Sequence, residues 1–156
     1  MRYAGLETND MINGEGVCVS FWTQGCPHKC QGCHNHEAWD FDGGIPLPND
    51  IRGQIIKAIS ANGLTRNFSV LGGEPLCDYN IKTVANIISA VRIAYPDIKI
   101  FVWTGYHLED FNECQKAILD KIDVLIDGPY IEELRDITLK LRGSSNQRIL
   151  QKGIDF

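Results

Sequence analysis

Apolar positions fall along this chain in two rhythms. Short runs rich in β-branched and aromatic residues read as four strands: Val17–Trp22 (VCVSFW), Asn67–Leu71 (NFSVL), Ile98–Trp103 (IKIFVW) and Ile122–Asp127 (IDVLID). Between them, apolar residues recur at helical intervals. Ile51, Ile55 and Ile59 share a face within Asn49–Gly63, with Asn49 or Asp50 as the cap and Gly63 as the stop. Ile81, Val84, Ile88 and Val91 share a face within Tyr79–Pro96, and Pro96 closes that helix. Leu108–Lys121 predicts a third helix with Phe111, Cys114, Ile118 and Leu119 turned inward. Nothing is assigned from Gly128 to Phe156.

Strands alternating with helices at this spacing predict a single α/β domain over residues 1–156, built on a parallel sheet with right-handed crossovers. Function in such sheets gathers where the strands end, because the loops there converge on one side. Each unusual segment falls at such an end. TQGCPHKCQGCHN (Thr23–Asn35) follows the first strand, GGEPL (Gly72–Leu76) the second, TGY (Thr104–Tyr106) the third and GPY (Gly128–Tyr130) the fourth. The four loops are expected to form one composite site.

Composition narrows the classes. At 156 residues and 44% hydrophobic, the chain can bury a core without staples. A net charge of −5 argues against bulk binding to nucleic acid or an anionic membrane. No apolar run is long enough to span a bilayer, and Met1–Asp10 lacks the pattern of a secretion signal. The expected address is the cytoplasm, where six cysteines suit metal ligands, redox groups or core positions better than disulfides.

Cys26, Cys30 and Cys33 stand within eight residues. Closely spaced thiolates suit zinc, copper(I) or iron–sulfur clusters. Zinc wants four closed ligands, and His34 or His36 could complete a Cys3His set, but no second Cys-x-x-Cys pair follows later in the chain. A cubane cluster usually takes four thiolates, so three leave one iron open, and an open metal position is the mark of a site that binds a substrate.

These residues resemble the radical S-adenosylmethionine (SAM) enzymes. Cys26-x3-Cys30-x2-Cys33 is similar to the superfamily's cluster motif, and GGEP (Gly72–Pro75) to its glycine-rich loop. NGEG (Asn13–Gly16), WTGY (Trp103–Tyr106), DVLIDGPY (Asp123–Tyr130) and RGSSNQR (Arg142–Arg148) resemble, in order and spacing, the small activases of the anaerobic ribonucleoside-triphosphate reductase. That resemblance covers nearly the whole chain. It implies a short, partial (βα) barrel with a parallel sheet. Cys26, Cys30 and Cys33 would hold a [4Fe-4S] cluster, and Gly32, Cys33, His34, Gly72, Gly73 and Glu74 would lie against SAM. Glu74 or a nearby carbonyl would accept from the SAM ammonium. No side chain need act as a general acid or base. The implied reaction is one-electron cleavage of SAM to methionine and a 5′-deoxyadenosyl radical, which takes a hydrogen atom from a glycine of the reductase large subunit. A donor such as flavodoxin would supply the electron.

Other residues keep two readings. Asn35 touches SAM or shapes a turn; Asp127 orients a ligand or is a helix-cap or turn aspartate; Trp103 and Tyr106 pack in the core or meet the cofactor. Arg142–Arg148 shapes the site, docks a partner or is a solvated tail. Cys18 and Cys114 read as small core residues, and Cys77 stays open. Three rival functions remain: a radical SAM enzyme acting on another glycyl-radical protein or a small molecule, a zinc-binding interaction module, and an electron-transfer iron–sulfur protein.

Overall fold

The computed structural model describes all residues from Met1 to Phe156. Seven strands form one open sheet: β1 (Arg2–Asp10), β2 (Cys18–Thr23), β3 (Ile45–Pro46), β4 (Asn67–Gly72), β5 (Ile100–Trp103), β6 (Val124–Asp127) and β7 (Arg148–Gln151). Their spatial order is β3-β1-β2-β4-β5-β6-β7. The four strands expected from the sequence are its parallel centre, with β2 on β4, β4 on β5 and β5 on β6. Three helices connect them: α1 (Ile51–Ile59), α2 (Ile81–Ala94) and α3 (Glu113–Lys116).

The all-parallel expectation is corrected at both margins. β1 runs antiparallel to β2, β3 antiparallel to β1, and β7 antiparallel to β6. The result is a mixed, sheet-rich α/β architecture. β1 was missed because RYAGLETND carries one buried residue at each end (Tyr3, Asp10) and otherwise exposed or half-buried positions, so it shows no apolar alternation. Register shifts between Tyr3 and Gly5 and between Glu7 and Asp10 break its period further.

The third predicted helix is also corrected. Leu108–Asp110 forms a 3-10 turn and α3 is a single turn, capped by Asn112 and Gln115 in a reciprocal capping box. Phe111 and Ile118 are buried as expected, but Cys114 is exposed. A helix interrupted at Phe111 no longer carries one phase through Cys114. α1 ends at Ile59, before Gly63, because Asn62 and Gly63 take left-handed backbone.

Strand alternation divides the core. Val19, Phe21, Phe68, Val70, Ile100, Val102 and Leu125 face the helices and pack with Ile51, Ile55 and Ile59 of α1 and Val84, Ile88 and Val91 of α2. The other face carries a smaller cluster of Phe101, Val124 and Ile126 against Trp103, Leu141 and Ile149. The NGEG stretch lies on that second face. The Ser69 hydroxyl donates to the Asn13 carbonyl (2.5 Å) and the Ser20 hydroxyl to Asp10 (2.6 Å). At Gly14, φ is +139° and a Cβ would stand 2.5 Å from Cys18 Sγ, so only glycine fits.

Candidate functional site

The loops after β2, β4, β5 and β6 do converge, and hydrogen bonds show how. At the β2–β4 junction the chains meet backbone to backbone. Gly73 N donates to Thr23 O (3.0 Å) and Glu74 N to Gly25 O (2.8 Å). A Cβ on Gly73 would lie 2.4 Å from Gly25 O, and one on Gly72 would lie 2.5 Å from the Thr23 backbone. The two glycines of GGEP therefore admit the close approach of the cysteine loop's own root. Gln24 braces the following segment, its amide donating to Glu37 O and Asp40 O.

Glu74 is buried, 1% exposed, with both oxygens engaged. Oε1 accepts from Leu76 N (2.9 Å) and the Thr104 hydroxyl (2.7 Å); Oε2 accepts from Gly105 N (2.7 Å) and faces His28 Nε2 at 2.8 Å. This carboxylate links the loops after β2, β4 and β5. The β6 loop joins through Gly128 N, which donates to Tyr106 O (3.1 Å).

The three cysteines sit on one winding loop with left-handed backbone at Gly25, Lys29 and Gly32. None is in a disulfide. Cys26 is buried, while Cys30 and Cys33 are half-buried. Burial pushes the Cys26 thiol up to about 11 and also raises Cys30. Against that, the Cys26 sulfur accepts backbone N–H groups of His28 and Lys29. Three unpaired thiols sharing one loop are a donor set suited to soft metal chemistry. No fourth cysteine shares the loop. Cys18 lies at the far end of β2, Cys114 is exposed on α3, and Cys77 is buried ahead of α2, its carbonyl accepting from Asn80 N and Ile81 N.

Beside this loop lies a cavity of about 400 Å³, lined by Gly32, His34, Tyr130, Arg135, Arg142 and Gly143 among others. His34 and Gly32 are exposed. Gly32 has φ +77°, and a Cβ there would run into the Glu132 carboxylate. Two buried donors have no acceptor: Arg142 Nε, on the cavity lining, and Asn35 Nδ2, two residues past Cys33. An unmet buried donor on the cavity lining, as at Arg142, fits a ligand that brings an acceptor.

The RGSSNQR stretch is packed rather than a solvated tail. Gln147 and Asn146 donate to Gly128 O and Pro129 O, and Arg142 Nη1 donates to Gln147 O. Arg148 donates to Asp127, so Asp127 is tied to the protein itself. Trp103 Nε1 donates to Leu141 O (2.6 Å), and Tyr106 packs edge-on against His28. Sequence reasoning missed His28 and Thr104 as groups that tie the loops together. The clue was a histidine set between two cysteines, with a glutamate in the loop just after a strand.

No helix is long and apolar enough to cross a membrane. The family described as the 4Fe-4S single cluster domain matches residues 12–150. The anaerobic ribonucleoside-triphosphate reductase-activating protein of Haemophilus influenzae is 39% identical over 150 residues, covering 96% of this chain and 97% of that protein. The Escherichia coli K12 protein of the same name is 35% identical over 148 residues, 94% and 96% of the two chains. The one from Enterobacteria phage T4 is 34% identical over 150 residues, 96% and 93% of the two.

Proposed function

Because the chain belongs to the 4Fe-4S single cluster domain family and to the anaerobic ribonucleoside-triphosphate reductase-activating proteins, we propose that it activates the large subunit of that reductase by reductive cleavage of SAM. The observation that carries this reading is the set of three free thiols on one loop at the sheet's carboxyl edge, with no fourth cysteine in that loop. Cys26, Cys30 and Cys33 would hold a [4Fe-4S] cluster. When bound, the cluster supplies one electron to the SAM sulfonium, giving methionine and a 5′-deoxyadenosyl radical that takes a glycine hydrogen from the reductase.

The chain's own residues bind, orient and shield. Arg142 Nε, on a residue lining the cavity beside Gly32 and His34, is a donor without an acceptor that acceptor groups of SAM would meet, and Asn35 Nδ2, two residues past Cys33, is a second. The side chain of Glu74 has four internal partners, so in the glycine loop the backbone carbonyls are left to accept from the SAM ammonium. Tyr130 and Gly143 line the cavity, and the Glu132 carboxylate lies against Gly32. The reaction takes place in the cytoplasm with a one-electron donor of the flavodoxin kind.

The test mixes reconstituted protein, SAM, a reductant and the reductase large subunit without oxygen, and reads the EPR spectrum of the large subunit. The reading requires a glycine-centred doublet that appears only when SAM and this chain are both present. SAM cleavage without that doublet would favour a small-molecule substrate.

A further inference from the structure

His28 is the one side chain between Pro27 and Cys33 that hydrogen-bonds to the rest of the protein. It stands midway between Cys26 and Cys30. The backbone of Gly25 and Cys26 is anchored on Ala38, Trp39 and Glu74, but from Pro27 to His34 the only backbone–backbone bond is the internal one from Cys33 N to Cys30 O.

We propose that His28 and Glu74 form a bracket that fixes the cysteine loop in the arrangement the cluster needs, with both acting as positioning residues. The inference rests on the cluster reading above. A carboxylate accepts and cannot donate when ionised, and it offers about four lone-pair sites. Here Leu76 N, the Thr104 hydroxyl and Gly105 N fill three of them, from β4 and β5 loops that the sheet itself holds rigid. The fourth partner is His28 Nε2, at 2.8 Å, which therefore carries the ring proton. Losing it would leave a buried carboxylate one donor short.

The ring is also gripped by shape. Tyr106 meets it edge-on with centroids 4.6 Å apart. Gly105 lies so close that a Cβ there would stand 2.6 Å from the imidazole. A donor, an aromatic edge and a bare backbone thus set the position and tilt of a ring two residues from each of two candidate ligands. Partners one shell beyond a metal's ligands typically alter affinity by roughly 10–100-fold when removed.

The experiment uses the full chain, reconstituted anaerobically, in four forms: unaltered, His28→Leu, His28→Gln and Thr104→Val. Leucine keeps bulk without a donor, and glutamine restores an N–H. Valine removes a donor from the same carboxylate while leaving His28 in place. Two readouts are taken: the rate of iron release to an excess of chelator, and the EPR line shape of the reduced cluster. The bracket predicts release roughly 10–100-fold faster for His28→Leu with an altered line shape, substantial recovery in His28→Gln, and a much smaller change in Thr104→Val, which takes one donor from Glu74 but keeps its contact with His28. Equal release from His28→Leu and the unaltered chain overturns the bracket, and so does Thr104→Val releasing iron as fast as His28→Leu, which would signify general loosening. Should the unaltered chain take up no four-iron cluster, the underlying reading fails and the bracket with it; loading by the unaltered chain separates the two failures.

Discussion

The Arg148 guanidinium grips the fully buried Asp127 with two hydrogen bonds, Nε to Oδ1 at 2.8 Å and Nη2 to Oδ2 at 2.5 Å. It thereby fastens the antiparallel edge strand β7 to the end of β6, beside the loops of the site. Leu108 N is the carboxylate's only other donor. Arg148→Met should destabilise the fold by about 2–4 kcal/mol, because it leaves a buried charge nearly unpaired. Urea unfolding followed by circular dichroism measures this. A loss under about 0.5 kcal/mol, typical of an exposed surface pair, would show that the clasp contributes nothing beyond one.

The same arginine reaches out to Glu109 and holds its carboxyl down to about 2, from an ordinary 4.5, mainly by direct hydrogen bonding. A carboxylate whose folded value is depressed contributes stability that is complete above its unfolded value and is lost as pH falls towards its folded one. The melting-temperature difference between the unaltered chain and Glu109→Gln should be constant above pH about 5 and shrink between pH about 4.5 and about 2. A difference that does not vary with pH would mean that Arg148 does not hold Glu109 in solution.

Two glycines should respond in opposite directions to alanine. Gly14→Ala places a Cβ 2.5 Å from Cys18 Sγ on a backbone with φ +139°, and should cost about 2–4 kcal/mol. Gly53 lies inside α1 with nothing within 4 Å of a new Cβ, so Gly53→Ala should stabilise by about 0.5–1 kcal/mol. Thermal unfolding of both variants checks the sign of each.

The six cysteines should separate into two groups on alanine substitution. Cys26→Ala, Cys30→Ala and Cys33→Ala should each lose most of the iron bound after reconstitution and the visible absorption that goes with it. Cys18→Ala, Cys77→Ala and Cys114→Ala should keep both, because Cys18 lies at the far end of β2, Cys77 is bonded to the turn before α2, and Cys114 faces solvent. Iron analysis together with the absorption spectrum decides it, and iron loss in Cys77→Ala would add a ligand from the loop after β4.

The sheet's parallel centre was legible because each of its strands is a short run rich in β-branched and aromatic residues, most of them buried. The gathering of TQGCPHKCQGCHN, GGEPL, TGY and GPY was legible from the order of elements alone. β1 was not, since its residues are mostly exposed and its register is broken by bulges. β7 was not, because what fixes it is Arg148 reaching Asp127 and Glu109, contacts 21 and 39 residues away that no local pattern displays. In the site, the cysteine spacing announced itself. The work of Glu74 did not: the glycine motif drew it towards a ligand, while the fold turned its carboxylate inward to His28, Thr104 and two backbone donors.

The central claim is that three thiols hold a cluster able to engage SAM. The most direct measurement is the EPR spectrum of the anaerobically reconstituted, reduced chain with and without SAM, with 5′-deoxyadenosine assayed in the same tube. The account predicts a reduced [4Fe-4S] signal that shifts when SAM is added, accompanied by 5′-deoxyadenosine. Stoichiometric zinc in place of iron, or a cluster whose spectrum is indifferent to SAM with no nucleoside formed, would contradict it.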